Sequence, residues 1–441
     1  MFKTIMNAWK IDELRKKILF TLMIIVVFRI GSVIPVPFLN VDALKGFMDT
    51  IGESGNILAS MNMFSGGAFA KGTLFAMSVT PYINSSIIMQ LLTVAIPPLE
   101  RLAKEGEEGR KKIAALTRYV TVILGLIQGA AYYIYLRNSN FGGENIVMYK
   151  TGWESVFAAI IIVMVFTAGT ALMMWLGEQI NQKGIGNGIS ILLFAGIVAR
   201  MPSMMLLLGT YFKMAMDAPE TFGQYYFFVP LFVILFLAVI WVIVFMNDAE
   251  RRIPVQYAKR MVGRKMYGGQ SSHIPIKVGL SGVMPIIFAS SILSIPGTIK
   301  LFFRPTGVFD SILSYLSQGG VIYPILYFIL IIFFAYFYVA IQYNPIEMAN
   351  NLRQSNGAIP GIRPGRPTSD FISKILSKVT LIGALFLAFI ALLPIAFAAI
   401  TGMNNLELGG TGVIILVGVA LETVKQMESQ MMMRHYKGFL D

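Results

Sequence analysis

Few residues in this chain could carry catalytic or metal chemistry. None of its 441 residues is a cysteine, which excludes disulfides, thiol catalysis and thiolate metal sites. The two histidines, His273 and His435, lie far apart in the chain, so we predict neither a metal site nor a cofactor. Gly184, Gly186 and Gly188 resemble a dinucleotide-binding loop only superficially, because they follow an apolar segment and not a strand.

The acidic residues are equally informative. All 23 Asp and Glu residues fall outside the middle of the apolar segments. Ion-coupled transporters usually need a carboxylate or polar ion site at membrane depth, and an intramembrane protease needs a nucleophile, paired aspartates or a zinc helix. The nucleotide-binding motif G-x-x-x-x-G-K-[ST] is absent as well. We therefore expect no enzymatic activity, and small-solute transport is disfavoured.

The elements that would position any site are membrane spans. The chain is 56% hydrophobic and 13% charged, against about 25% charged residues in a soluble domain. Apolar stretches long enough to cross a hydrocarbon core of about 30 Å recur along the chain. We predict an all-α polytopic membrane protein with ten transmembrane helices, at residues 18–34, 73–96, 113–136, 153–177, 188–208, 225–246, 278–299, 321–341, 379–400 and 411–427.

Lys and Arg concentrate in alternate loops, which places both termini in the cytoplasm by the positive-inside rule. Orientation accounts for most of the net charge of +13. Residues 1–17 have the spacing of an interfacial helix, although a solvated leader is the alternative. Arg29 lies near the outer end of the first span, where its side chain can extend to the interface.

Two inner loops, 247–277 and 342–378, are longer than helix connections require. In the first, basic residues lie between two β-prone stretches, 253–257 and 273–276, which predicts a cytosolic hairpin. In the second, Pro and Gly at 361–365 predict a rigid turn that presents Arg363. Both loops have the character of docking surfaces for an acidic or anionic partner, although simply solvated loops remain an alternative.

Ten spans divide into two five-helix halves that must be inserted in opposite orientations, as in an inverted repeat. Residues 79–83 and 283–287 both read V-x-P-x-I and are both followed by Ser-Ser-Ile. A proline inside a span removes a helix hydrogen bond, so spans two and seven would share a weak point suited to a central gate. Before span two, residues 56–70 are too polar to span and could form either a re-entrant half-helix or a surface loop.

Ordered motifs across nearly the whole chain resemble the SecY family. They are Phe28–Ser32, Ile34–Pro37, Asn62–Gly67, Pro81–Ile83, Gly184–Ser190, Tyr257–Arg260, Gly361–Gly365 and Gly409–Thr411. The resemblance implies an hourglass channel closed by an aliphatic ring and a plug helix, with a lateral gate towards lipid.

Site residues follow from the same resemblance, motif by motif. The implied ring is Val79, Ile83, Leu193, Ile287 and Ile415. The implied plug covers roughly residues 56–67, with Asn56, Leu58, Met61, Phe64, Ser65, Gly66 and Gly67. Asn84 and Gln128 would be polar members of the lateral gate, whereas Ile295 stands where family members often have a polar or aromatic residue. Partner-docking residues would be Arg264, Lys265, Arg353 and Arg363.

The resemblance also implies the function and its partners. The chain would pass unfolded secretory polypeptides across the bacterial cell membrane and release apolar segments into lipid. A SecE-like and a SecG-like subunit would accompany it, and a SecA motor ATPase or a ribosome would drive chains that bear signal sequences. Alternatives are a solute transporter and a non-conducting membrane scaffold that docks ribosomes.

The predicted organisation assigns each segment to one unit of the molecule. Residues 1–17 form the interfacial helix, 18–208 the first half, and 209–224 an external loop between the halves. Residues 225–430 form the second half and 431–441 a cytosolic tail.

Overall fold

The computed structural model describes residues 2–52, 62, 65–257, 260–262, 265–267, 271–303, 307–317, 320, 322–403 and 410–437. The all-α membrane fold is confirmed: these residues are mostly helical. Up to residue 217 the helices are α1 (Phe2–Lys10), α2 (Asp12–Gly31), α3 (Val41–Gly52), α4 (Thr80–Ala95), α5 (Pro97–Lys104), α6 (Glu107–Arg137), α7 (Gly152–Lys183) and α8 (Gly188–Asp217). The remainder contains α9 (Pro219–Phe222), α10 (Tyr225–Asp248), α11 (Met284–Phe303), α12 (Val308–Leu316), α13 (Tyr323–Gln342), α14 (Pro345–Gln354), α15 (Arg366–Thr401) and α16 (Gly410–Lys437).

Membrane spans are evident from length and composition. Within the described residues, six helical segments are long and apolar enough to cross a bilayer, and the pair α4–α5, bent by 101°, would make a seventh. The apolar part of α11 is shorter, at Met284–Lys300. Each of the ten predicted spans overlaps one helix, but the ten-span count itself stays a prediction.

The chain's start departs from the predicted interfacial helix of residues 1–17. The helix breaks at Ile11, and residues from Asp12 onward belong to α2. The short α1 packs against α16, where the Thr4 hydroxyl donates to the Glu428 carboxylate at 2.9 Å. The two ends of the described chain are thus joined.

Helix boundaries follow from caps and glycine turns. In the segment GIGNGIS, the Asn187 side chain accepts from the backbone N–H groups of Ile189 and Ser190 and so starts α8. Asn344 caps α14 in the same way. Several contacts join helices of the two predicted halves: α8 contacts α10 and α16, and α11 contacts α4 and α6. A buried apolar cluster runs through both groups of helices.

The two long basic loops form one folded unit. Strand β3 (Glu250–Tyr257) pairs antiparallel with β6 (Ser271–Lys277), with Ile253 opposite Ile274, which confirms the predicted hairpin. Between them, β4 (Arg260–Val262) pairs with β5 (Lys265–Tyr267). Strand β7 (Gly357–Ala358), from the second loop, pairs with the other edge of β3. A further small hairpin, β1 (Asn140–Phe141) and β2 (Glu144–Asn145), follows α6.

Candidate pore and docking surface

The predicted ring residues lie in one apolar cluster. Val79, Leu193, Ile287 and Ile415 are buried members of it, and the half-buried Ile83 packs against it. They come from α4 and its approach, α8, α11 and α16, so both groups of helices contribute. A ring of aliphatic side chains would exclude water and ions without a specific filter. That these five form the constriction remains a prediction.

The two V-x-P-x-I motifs have matching local structure. The Ile83 N–H donates to the Val79 carbonyl at 3.0 Å, and the Ile287 N–H donates to the Val283 carbonyl at 3.3 Å. In each motif the valine immediately precedes the helix and the isoleucine lies in its first turn. Each motif therefore places one isoleucine in the first turn of its helix.

The prediction that a proline weakens the interior of spans two and seven is corrected by this geometry. Pro81 and Pro285 are the second residues of α4 and α11, not interior residues of longer spans. A proline in the first turn lacks an N–H that would have had no helical partner anyway, so it favours helix initiation. The residues before each helix, 74–79 and 278–283, are turns, although hydropathy alone assigned them to the spans.

The predicted plug is described only at its end. Asn56, Leu58, Met61 and Phe64 lie outside the described residues. Ser65 is fully buried, and its hydroxyl donates to the Asn62 carbonyl at 3.1 Å and accepts from Phe69 N–H at 3.0 Å. Gly66 and Gly67 then have φ of 65° and 89°, a backbone conformation that favours glycine.

Arg29 and Tyr132 hold this region from neighbouring helices. Arg29 is half-buried, and its Nη1 donates to the Gly66 carbonyl at 3.4 Å, so it contacts this turn in addition to any approach to the interface. The buried Tyr132 hydroxyl donates to the Phe69 carbonyl at 2.9 Å, and its ring stacks on Phe69 at 4.4 Å between centroids. Sequence reasoning missed Tyr132. Its signal is a hydroxyl inside an apolar span, which needs a hydrogen-bond partner.

The predicted lateral-gate residues lie on helices that are neighbours in the structure. Asn84 of α4 and Gln128 of α6 are both half-buried, and both helices contact α11. Ile295 of α11 is 50% exposed, so the described structure does not bury it in the helix contact. Gate opening between these helices stays a prediction.

The docking residues belong to the folded unit formed by the two loops. Arg353, in the last turn of α14, and Arg363 are exposed. Lys265 begins β5, whereas Arg264 lies outside the described residues. The unit has its own core, so it is not a pair of independent solvated loops; the core is Ile253, Val255, Ile276, Leu352, Ile359, Ile372, Leu376 and Val379. Sequence reasoning missed this joint core because it depends on contacts distant in sequence.

The family of this chain is shown by its sequence similarity to known proteins. The SecY family model matches residues 73–424, which is most of the chain. The chain belongs to the SecY family. It is 44% identical to the protein translocase subunit SecY of Streptomyces coelicolor, over 100% of both chains. It is also 44% identical to the SecY of Halalkalibacterium halodurans over 100% of both chains.

Solved SecY-type channels have the same fold. One neighbour, described as a protein-conducting channel, has a TM-score of 0.61 at 19% identity and covers 94% of this chain and 92% of its own. Canine Sec61, solved in a ribosome-channel complex, has a TM-score of 0.57 at 17% identity, with coverage of 94% and 92%. The SecY fold therefore extends over nearly the whole molecule.

Proposed function

We propose that this chain is a gated protein-conducting channel. It passes unfolded secretory polypeptides across a bacterial plasma membrane, with both termini in the cytoplasm, and releases apolar segments laterally into lipid. Full-length similarity to proteins named translocase subunit SecY supports this function. One structural neighbour concerns the plug domain of SecY and the closed state of its translocation channel.

The observation that supports the proposal is that the five predicted ring residues, which come from four helices and their approaches, all belong to or pack against one apolar cluster. Two of them, Ile83 and Ile287, project from matched helix starts in different halves of the molecule. A narrow aliphatic collar resists hydration and can still deform around a passing chain. Such a collar suits a polypeptide, which varies in side-chain size, better than a small solute that needs specific polar ligands.

Force for movement would come from a partner. The basic folded unit presents Arg353 and Arg363 as candidate contacts for a SecA-type motor or a ribosome. Two structural neighbours were solved in complexes with ribosomes, which supports the second of these partners. A SecE-like and a SecG-like subunit would complete the membrane assembly. We propose no covalent chemistry for the chain itself.

Site-specific photo-crosslinking tests the channel directly. A photoreactive residue at Ile83 or Ile287 should crosslink to a stalled secretory chain in reconstituted membranes with a motor partner. The matched control is Ile160 on α7, an isoleucine that is 58% exposed on the helix surface. Crosslinks at both ring positions but not at Ile160 would support a path through the cluster. Absence of crosslinks at both ring positions, under conditions where export is seen elsewhere, would reject the pore assignment and favour the ribosome-docking scaffold.

A further inference from the structure

The turn before α11 is seated against glycines of two other helices. This turn, residues 278–283, connects β6 to α11. A Cβ added to Gly418 of α16 would lie 2.5 Å from Val283 Cγ2, and a Cβ added to Gly383 of α15 would lie 2.5 Å from the Val278 carbonyl oxygen. Real Cβ atoms essentially never make contacts this short, so the turn depends on glycine at both positions.

The contact between Val283 and Gly418 lies one helical turn from two predicted ring residues, Ile287 and Ile415. The Val283 carbonyl accepts from Ile287 N–H, so movement of Val283 is carried directly to Ile287. Ile415 precedes Gly418 by three positions on α16, and residues at that spacing share a helix face. Val283, Ile414 and Gly418 also line one small apolar cavity. The Val283–Gly418 contact therefore lies between the backbones that carry Ile287 and Ile415.

The other side of the turn is tied down. Val278 N–H donates to the Ala249 carbonyl at 2.9 Å, which attaches the start of the turn to the end of α10. Lys425 of α16 contacts the same end of α10, at 2.9 Å from the Asp248 carboxylate and 3.1 Å from the Asn247 carbonyl oxygen. Because α10 and α16 are joined there, added volume at position 418 displaces Val283 and the start of α11.

We infer that Gly418 is a positioning residue of the channel, because its missing side chain lets Val283 set the separation of Ile287 and Ile415 in the closed ring. This inference rests on the proposed function for its consequence, but its geometry can be measured without any polypeptide substrate. A methyl group at position 418 should displace Val283 by about 1 Å to reach ordinary van der Waals separation. Valine is short and branched, so its side chain cannot absorb the displacement alone.

Thiol labelling provides the test, because the chain contains no native cysteine. Ile415→Cys is introduced into the full chain, and its reaction with a water-soluble maleimide is timed in the resting protein. Ile415 is fully buried, so the reference reaction should be slow. Gly418→Ala should accelerate labelling by about tenfold through a shift towards the open ring. Adding Val283→Ala removes the opposing methyl groups and should return the rate to near the reference.

Two further variants distinguish the positioning role of Gly418 from general damage to the fold. Gly209→Ala is the control, because a Cβ there meets nothing within 4 Å, and it should leave the rate unchanged. Gly383→Ala should accelerate labelling, but Val283→Ala should not reverse this effect, because the Cβ at 383 meets backbone. It also serves as the test if Gly418→Ala fails to accumulate.

The inference is overturned if Gly418→Ala labels at the reference rate, or if Val283→Ala fails to reverse its effect. An unchanged rate in Gly383→Ala would count against it equally. Fast labelling in Gly418→Ala combined with no polypeptide crosslinks at Ile83 or Ile287 would support the positioning role of Gly418 and reject the channel function instead. The two failures are therefore distinguishable.

Discussion

At the scale of single residues, Tyr132 shows how one polar group in an apolar span fixes the segment before α4. We expect Tyr132→Phe to lower the free energy of unfolding by about 1 kcal/mol, the usual worth of one neutral hydrogen bond. The loss stays modest because the Phe69 carbonyl also accepts from Gly72 N–H at 3.1 Å. Detergent-solubilised protein, unfolded by heat or denaturant, provides the measurement. Tyr119→Phe on the same helix is the control, because Tyr119 is 69% exposed.

A larger truncation at the same residue tests the packing. Tyr132→Ala should destabilise the protein by about 3–5 kcal/mol, as other buried aromatic truncations do. It removes the stacking on Phe69 and the contact with Phe166, whose ring centroid lies 5.3 Å away. Equal effects of the Phe and Ala variants would contradict this division between hydrogen bond and packing.

At the scale of elements, local sequence patterns predicted the hairpin strands but not every helix start or strand pairing. The hairpin strands were predicted because alternating and β-prone residues define them locally, and Ile253 does face Ile274 across the ladder. The starts of α4 and α11 were predicted too early, because hydropathy records composition and not backbone conformation. The pairing of Gly357–Ala358 with β3 could not be predicted, since two residues carry no periodicity.

The shared core of the two basic loops makes a prediction at this same scale. Ile253 is 2% exposed, and Ile253→Ala should destabilise this unit by about 2–4 kcal/mol through lost burial and a cavity. Because the core joins β3 to α14, limited proteolysis should cut residues 250–277 and 345–365 together, while the membrane helices remain intact. Gln256→Ala, at an exposed site on the same strand, is the control. Faster cleavage of the hairpin alone would contradict a joint core.

At the scale of the whole molecule, the distribution of charge predicts how a partner would dock. Arg353→Glu and Arg363→Glu should each slow association with a motor or ribosome several-fold at low salt, because exposed charges steer encounter. The difference from wild type should vanish near 1 M salt, where the screening length is about 3 Å. Binding kinetics measured across a salt series would check this. Lys71→Glu, at an exposed site on the predicted outer side, should have no effect at any salt concentration.

The plug segment decides between a channel and a scaffold, because only a channel has a conducting path to seal. Deleting residues 56–67 should raise the resting ion conductance of reconstituted vesicles if the aliphatic ring is backed by a plug, as the family resemblance implies. Replacing the segment with a flexible Gly/Ser sequence of equal length should raise it too, because such a linker preserves chain length without an apolar face. The deletion also removes Gly66, the acceptor for Arg29, so Arg29→Met should reproduce a smaller part of the leak. Conductance unchanged in all three variants would mean that nothing passes between these helices, and the basic folded unit would then be the functional surface of a non-conducting scaffold.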